Sequence, residues 1–288
     1  MASLKKAPVL FYLGTFSGET THGFLDPVTG RLDVVRIPEL QCQLDCLASK
    51  HGWLLLSSRE ISSIFLFNPI TRDRIDLPRR NRLISAGTFT AAPTSSDCTV
   101  FIMSMPIHPL DNRIIIDTFT VGLDRNWTRH GFSHVSPDFD STWQVVYAEG
   151  ILYCMDLKGR LGTFNVKDGS WNVIPCKDKS IKIWKLHLVE LKGEIFAAKR
   201  GRRGIVQEFF KLKVRDDLSE WEKEEVAVDV TYCLGDCGSM AMPEQNPREG
   251  EKMKLMVASH EPKLDGSCCS KSIRENDLFG SAYHRVWI

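Results

Sequence analysis

The sequence predicts an all-β protein of repeated four-stranded units, and three observations support this. Turn-forming pairs such as Asp-Pro, Asn-Pro and Asp-Gly recur about every ten residues, which leaves little room for helices. The runs between them are rich in β-branched and aromatic residues, as in residues 64–67. One pattern also repeats at roughly 40–50 residues, the length of a propeller blade. We expect a single β-propeller domain over residues 1–288, with six blades, or seven as the alternative.

The repeated motif has an apolar strand, a polar turn, a return strand and a closing apolar residue, followed by proline in the clear copies. Its copies lie at residues 24–38, 65–78, 114–127, 163–175 and 209–221. The third and fifth copies are degenerate. The first large apolar residues after the turns are 43, 52, 44 and 50 residues apart, and they are Leu32, Ile75, Trp127, Trp171 and Trp221.

Two positions of the motif have expected places in a blade. The trailing tryptophan or isoleucine should pack against the next blade, because neighbouring blades bury their sheet faces against each other. The closing proline suits an outer edge strand, where its missing N–H leaves no hydrogen bond unmade and blocks edge-to-edge pairing. These prolines are Pro38, Pro78 and Pro175.

The period divides the whole chain into units. They begin near residues 8, 43, 86, 143, 183 and 230. A complete unit spans residues 145–175, with strands predicted at residues 145–148, 151–155, 161–166 and 171–174. Trp221, at the repeat position, favours a strand over residues 218–226, although the glutamates there leave a helix as the alternative.

The last unit, from about residue 230, is the least regular. Residues 233–242 and 254–258 are strand-like, and residues 243–252 and 261–272 are polar loops. Residues 285–288 look like part of a strand. Two interpretations stay open: this strand closes the ring with the first strand at residues 9–13, or the chain is truncated there.

Composition limits the function classes. The 288 residues carry a net charge of +1, which gives no global attraction to nucleic acid or anionic membranes. No apolar run approaches the roughly 20 residues of a membrane helix. Nine cysteines, an odd number, fit reduced thiols better than a disulfide framework. We expect a monomer of the cytoplasm or nucleus that binds neither nucleic acid nor membranes.

Several segments together resemble the plant F-box/kelch-repeat proteins. They are residues 52–57, 65–72, 77–78, 91–101, 150–154 and 161–164. The resemblance covers residues 8–242 in order and the remainder more loosely. The tandem glycines of a strict kelch repeat are missing, so the expected fold is a kelch-like β-propeller.

The resemblance implies a substrate receptor. In that family an F-box binds the Skp-type adaptor of a cullin–RING ubiquitin ligase, and the propeller grips the protein to be ubiquitinated. Here eight residues precede Val9, too few for an F-box. We therefore expect no F-box domain, and adaptor and cullin as partners only if docking occurs without one.

Motifs of catalysis and cofactor binding are missing. The sequence has no Gly-x4-Gly-Lys-Ser/Thr loop, no Gly-x-Gly-x-x-Gly fingerprint and no Gly-x-Ser-x-Gly elbow. Residues 168–171 match only a fragment of the box found in sialidase propellers. We predict no enzyme, no catalytic residues and no cofactor.

Cysteine and histidine spacing leaves a weak zinc hypothesis. Cys42 and Cys46, Cys233 and Cys237, and His260 before Cys268 and Cys269 are near ligand spacing. Buried core cysteines are the simpler interpretation, so no metal site is predicted. His130 and His134 are expected in a solvated loop, because Gly131 and Ser133 accompany them.

Two basic clusters lie in predicted loops, at residues 79–82 and 199–204. They fit either solvated hairpin tips or a docking patch for an acidic or phosphorylated partner, since arginine binds carboxylate and phosphate bidentately. The second also fits a nuclear-import signal. The target and its binding residues remain unassigned.

The sequence thus predicts a protein-interaction module resembling the recognition propeller of an F-box ubiquitin ligase subunit. The first alternative is a stand-alone binding propeller unconnected with ubiquitination. The second is an enzyme or a zinc-dependent propeller.

Overall fold

The computed structural model describes these parts of the chain: residues 10–16, 19–25, 32–40, 44–58, 61–80, 82–104, 113–133, 139, 142–156, 160–174, 186–200, 206–215, 218–224, 230–235, 240–243, 255–258 and 283–287. Within these ranges the regular structure is β-strand, apart from one short 3-10 helix at Pro38–Leu40. No helix in the described part is long and apolar enough to cross a membrane.

The strands follow the predicted order along the chain. They are β1 (Leu10–Phe16), β2 (Glu19–Leu25), β3 (Leu32–Val35), β4 (Asp45–Lys50), β5 (Trp53–Ser58), β6 (Ser63–Phe67), β7 (Arg74–Leu77), β8 (Ile84–Phe89), β9 (Thr99–Ser104), β10 (Ile114–Thr120), β11 (Thr128–Phe132), β12 (Thr142–Ala148), β13 (Ile151–Asp156), β14 (Leu161–Asn165), β15 (Trp171–Ile174), β16 (Leu186–Leu191), β17 (Glu194–Arg200), β18 (Val206–Arg215), β19 (Leu218–Lys223), β20 (Val230–Gly235), β21 (Met240–Pro243), β22 (Leu255–Ala258) and β23 (Tyr283–Trp287).

The described strands form six sheets. Five are four-stranded and antiparallel, with the orders β23-β1-β2-β3, β4-β5-β6-β7, β8-β9-β10-β11, β12-β13-β14-β15 and β16-β17-β18-β19. The all-β prediction is confirmed. So is the complete unit, whose four strands lie within two or three residues of their predicted positions. Residues 218–223 form a strand, β19, so the helical alternative is wrong for them, and residues 225–226 lie outside the described residues.

The sheets contact one another in chain order. β4 contacts β8, β8 contacts β12, and β12 contacts β16, so the first strands of successive sheets adjoin. β16 contacts β20 and β21, and β20 and β22 contact β23 of the first sheet. Each sheet therefore has a neighbour on both faces, as blades of a propeller do.

The first sheet combines strands from both ends of the chain. β23 pairs antiparallel with β1, and Leu10 lies opposite Trp287. This pairing is the first of the two interpretations that the sequence left open. The register continues to Gly14, opposite Tyr283.

The last sheet departs from the pattern. It has three strands in the order β21-β20-β22, and β20 pairs parallel with β22. The predicted strand at residues 233–242 is two strands, and Pro243 ends β21 instead of beginning a loop. The remaining loop predictions, at residues 244–252 and 261–272, lie outside the described residues.

Burial on both faces explains the apolar runs. Every residue of β5 is buried, and its side chains alternate between two cores as a strand requires. Leu54 and Leu56 join the core shared with the first sheet, while Trp53 and Leu55 join the core shared with the third. A run such as Trp-Leu-Leu-Leu therefore marks a sheet covered on both sides.

The two clear described copies of the turn motif fold alike. The N–H of Arg72 donates to the carbonyl of Asn68 at 2.8 Å, and that of Gly169 donates to the carbonyl of Asn165 at 2.9 Å. In both turns the asparagine Oδ1 also accepts a backbone N–H two residues later, as in an Asx-turn. In both copies the asparagine at the end of the strand therefore forms the hairpin turn. The repeat in sequence is a repeat in structure.

The trailing residues pack between sheets, with a difference in direction. Ile75 faces the following sheet, as predicted. The tryptophans instead face the preceding one: the ring of Trp171 stacks on Phe132 at 6.0 Å, and Trp221 joins a core with Met155. Trp171 and Trp221 lie on edge strands, and Trp127 lies just before one. Their large rings extend across the seam to the preceding sheet.

The closing prolines lie just past the edge strands. Pro38 begins the 3-10 helix after β3, and Pro78 follows the last residue of β7. Pro175 lies outside the described residues. A proline directly after an edge strand ends the strand and directs the chain toward the next sheet.

A glycine under a tryptophan provides a packing test. A Cβ on Gly162 would overlap the ring of Trp171 and lie 3.1 Å from Cε2 of Phe139. We expect Gly162→Ala to lower the free energy of unfolding by about 1–3 kcal/mol, because the ring must move in a filled seam. Gly131→Ala is the matched control, since a Cβ there meets no atom within 4 Å. Urea denaturation measures both, and equal losses would contradict the packing described.

His22 provides a pH test. Its Nε2–H donates to the carbonyl of Leu40 at 3.1 Å, its Nδ1 has no partner among the described residues, and burial holds its pKa below the usual 6.5. Because the folded pKa is lowered, the unfolded chain binds more protons, so stability falls as pH drops below about 6.5. One such group contributes at most about 1.4 kcal/mol per pH unit.

The measurement is the free energy of unfolding between pH 5 and pH 8 for the native chain and for His22→Gln. The variant should lose stability less steeply on acidification, whatever its stability at pH 8. Parallel curves would show that His22 does not titrate as its surroundings require.

Candidate binding site at the seam between two sheets

A cavity with both polar and apolar lining residues opens between the second and third sheets; we name it the seam cavity. Its volume is about 380 Å³, within the roughly 300–1,000 Å³ of ligand pockets. It lies at the end of the seam that carries the β5–β6 turn and the β7–β8 connection. The lining residues are Asp45, Cys46, Leu47, Ser57, Ser58, Ser62, Ser63, Ile64, Arg80, Arg82, Leu83, Ile84 and Ser85.

Arg80 forms the inner wall of the cavity. It follows the closing proline of the second sheet, and its side chain enters the seam instead of pointing into solvent. Nη2 donates to Oδ2 of Asp117 in a close ion pair and to Oγ of Ser104 at 2.7 Å. Because Nη2 has only two hydrogens, these contacts use its donor capacity.

Asp117 is the anchor of this arrangement. It lies in the middle of β10 and is fully buried. Its second oxygen accepts a hydrogen bond from Nε of Arg129 at 2.9 Å. One carboxylate thus faces two guanidinium groups, and the three side chains together carry a net positive charge.

The repeat tryptophan holds Arg80 from another side. The guanidinium carbon lies 5.4 Å from the centre of the Trp127 ring, within cation–π range. Nε1 of Trp127 donates to the carbonyl of Pro78 at 2.7 Å. This hydrogen bond joins the third sheet to the end of the second. The position of Arg80 is therefore fixed by two elements of the repeat, the closing proline and the trailing tryptophan.

Several buried donors on residues that line the cavity have no partner among the described residues. These buried atoms are Oγ of Ser58, Oγ of Ser63, Nε and Nη1 of Arg80, and Nη1 of Arg82. Burial lowers the pKa of Arg80, and the charge of Asp117 opposes that shift. Arginine stays protonated in proteins, so the wall keeps its charge. The arrangement can donate several hydrogen bonds to a polar group that enters the cavity.

The structure separates the residues of the first basic cluster. Arg80 is buried and Arg82 is half-buried, so the interpretation of a solvated hairpin tip is wrong for both. Arg79 is exposed, in line with it, and Asn81 lies outside the described residues. In the second cluster Lys199 and Arg200 are the last residues of β17, not of a loop, and residues 201–204 are outside the described part.

The metal hypothesis gains no support where it can be examined. Cys46 is buried, and its thiol donates to the carbonyl of Ala48 at 3.5 Å. The described residues contain no group of three or more possible metal ligands. The backbone of Cys233 is described but not its side chain, and Cys42, Cys237, His260, Cys268 and Cys269 lie outside the described residues.

Two further predictions are corrected or placed. His130 lies in β11, half-buried against the ring of Phe164 at 5.0 Å, so its assignment to a solvated loop is wrong. His134 lies outside the described residues. In the sialidase-like fragment, Oδ1 of Asp168 accepts the N–H and hydroxyl of Ser170, and these bonds lower the pKa of Asp168. That carboxylate closes a hairpin turn.

Sequence reasoning missed Asp117, Ser58 and Ser63. The available signal was an acidic residue inside the apolar run of β10, between Ile116 and Phe119. A lone buried carboxylate requires a cationic partner, but the sequence does not say which of the chain's arginines supplies it.

Successive described sheets that cover one another and contact in chain order define a β-propeller class of protein, with a cavity in one seam. The family model of the KIB1-4 β-propeller matches residues 24–252. The chain therefore belongs to the KIB1-4 β-propeller family, and its resemblance to plant F-box/kelch-repeat proteins is confirmed.

Curated relatives come from Arabidopsis thaliana. The F-box/kelch-repeat protein At3g18720 is 29% identical over 256 residues, which cover 83% of this chain and 66% of the relative. The F-box protein At1g49360 is 31% identical over 249 residues, 81% of this chain and 48% of the relative. The F-box/kelch-repeat protein At1g57790 is 29% identical over 67% of this chain and 54% of its own length. The chain thus spans about half to two thirds of these relatives.

The buried ion pair predicts a large difference between two aspartates. Asp117→Asn leaves the guanidinium of Arg80 buried and uncompensated, so we expect a loss of about 3–5 kcal/mol in the free energy of unfolding. Asp76→Asn is the control: it removes a pair with Arg74 of 2.7 Å at the surface, expected to matter by about 1 kcal/mol or less. Thermal and urea unfolding measure both; similar losses would contradict the role assigned to Asp117.

Proposed function

We propose that this chain is a protein-interaction module: a kelch-like propeller that recognises a target protein as the substrate-binding part of an F-box (SCF-type) ubiquitin ligase subunit. The observation that carries the proposal is the family match, together with F-box relatives that align over most of this chain. The proposed chemistry is recognition alone, with no catalytic step and no cofactor.

We propose six blades for the domain. The six described sheets and the pairing of β23 with β1 support this number. In such a domain the turns and connections at the two ends of the blades are free to bind, because the sheet faces are covered. The seam cavity lies at one of these ends.

The proposal also covers the oligomeric state, the cellular location and the binding partners of the chain. We propose that it acts as a monomer in the cytoplasm or nucleus and binds neither nucleic acid nor membranes, in keeping with its net charge of +1. Skp-type adaptor and cullin are proposed as partners of the chain only if docking occurs without an F-box. The alternative, a stand-alone scaffold without ubiquitin ligase partners, is the other outcome of the experiment below.

The experiment is affinity purification of the tagged 288-residue chain from plant cells, followed by mass spectrometry, with the tag alone as control. We expect at least one protein in stoichiometric amounts, accompanied by adaptor and cullin if docking occurs without an F-box. That protein counts as a target only if it also binds the purified chain. Target binding without adaptor and cullin would establish the stand-alone alternative, and the absence of any binding protein would refute the interaction module.

A further inference from the structure

The seam cavity has a surplus of donors and of positive charge. Guanidinium nitrogens can only donate, and three such atoms on the wall have no acceptor among the described residues: Nε and Nη1 of Arg80 and Nη1 of Arg82. Arg82 also makes no ion pair within the described part of the chain. The single negative charge of Asp117 is already shared by Arg80 and Arg129.

Two serines complete the donor set. Ser58 ends β5 and Ser63 begins β6, so they lie opposite each other in the sheet. Both hydroxyls are buried, line the cavity and have no partner among the described residues. Arginine and serine donors around one cavity match the acceptor oxygens of a carboxylate or a phosphate ester. Asp45 is the only acid among the lining residues, so the cavity wall keeps a positive surplus.

One exposed apolar side chain lines the cavity, and another is adjacent in sequence to a lining residue. Leu83, on the β7–β8 connection, is 60% exposed, and Ile61, beside Ser62 in the β5–β6 turn, is 51% exposed. A free small anion gains nothing from these side chains. A protein segment covers them while its charged group enters the cavity, which joins apolar burial to charge-assisted hydrogen bonds.

We propose that the seam cavity binds an oxyanionic side chain, a carboxylate or a phosphate ester, presented by a segment of the partner protein. This inference rests on the proposed function, because it names the chemistry that the interaction module recognises. Arg80 is held in place by Asp117 and Trp127. Arg82 and the two serines complete the donors, and Ile61 and Leu83 hold the flanking residues of the segment.

The first arm of the test uses inorganic phosphate and, separately, acetate as probes of the purified chain. Isothermal titration and thermal unfolding should show saturable binding of at least one probe. Arg82→Gln removes a charge-assisted donor and should weaken that binding about tenfold or more. Ser63→Ala should weaken it less. Arg79→Gln is the matched control, because Arg79 is exposed and outside the cavity, and it should leave binding unchanged.

The second arm uses the target protein that co-purifies with the chain. Arg82→Gln and Leu83→Ser should reduce its affinity, Arg79→Gln should not, and excess phosphate or acetate should compete. If the probes bind but these variants leave the affinity for the target unchanged, the cavity binds a free anion. The inference that a partner protein supplies the oxyanion is then wrong. If neither probe binds, or Arg79→Gln weakens binding as much as Arg82→Gln, the oxyanion site is refuted. A separate outcome refutes the proposed function: no partner protein co-purifies with the chain, whether or not the probes bind.

Discussion

A sheet that is apolar on both faces must be covered on both faces, and this constraint organises the chain. β5 illustrates it, because alternate side chains belong to different cores and none of its residues is exposed. No single sheet is then stable alone, because one of its two apolar faces is buried only when the next copy of the repeat packs against it. Stacking successive sheets face to face meets the constraint, and the order of contacts follows the order of the chain.

The same constraint explains why a cavity occurs in a seam. Apolar packing between the second and third sheets is dense in the middle, where Leu55, Phe89 and Ile102 meet. Near one end the chain must leave the second sheet and enter the third, and the connection brings polar side chains with it. Arg80 is accommodated there only because Asp117 offers a charge in the facing sheet. The cavity lies where the packing of the repeated units is interrupted.

Much of the architecture could be predicted from the sequence, because it depends on local chemistry. Turns such as Asn68 to Arg72 are encoded by side chains that bond to their own backbone, and strand alternation follows from adjacent residues. The direction of packing could not be predicted: Trp127 reaches back to the preceding sheet, and only the assembled seam decides this. The wall of the cavity was missed for the same reason, since Arg80 and Asp117 are distant in sequence and meet only across two sheets.

The pairing of β1 with β23 has a consequence for how the protein is made. Leu10 and Trp287 are neighbours in space, yet nearly the whole chain is synthesised between them. Contacts of such sequence separation form late and slowly, because a long loop must close first. During translation, β1 has an unpaired edge until β23 has left the ribosome. Until then the nascent chain exposes a strand edge of the kind that drives aggregation.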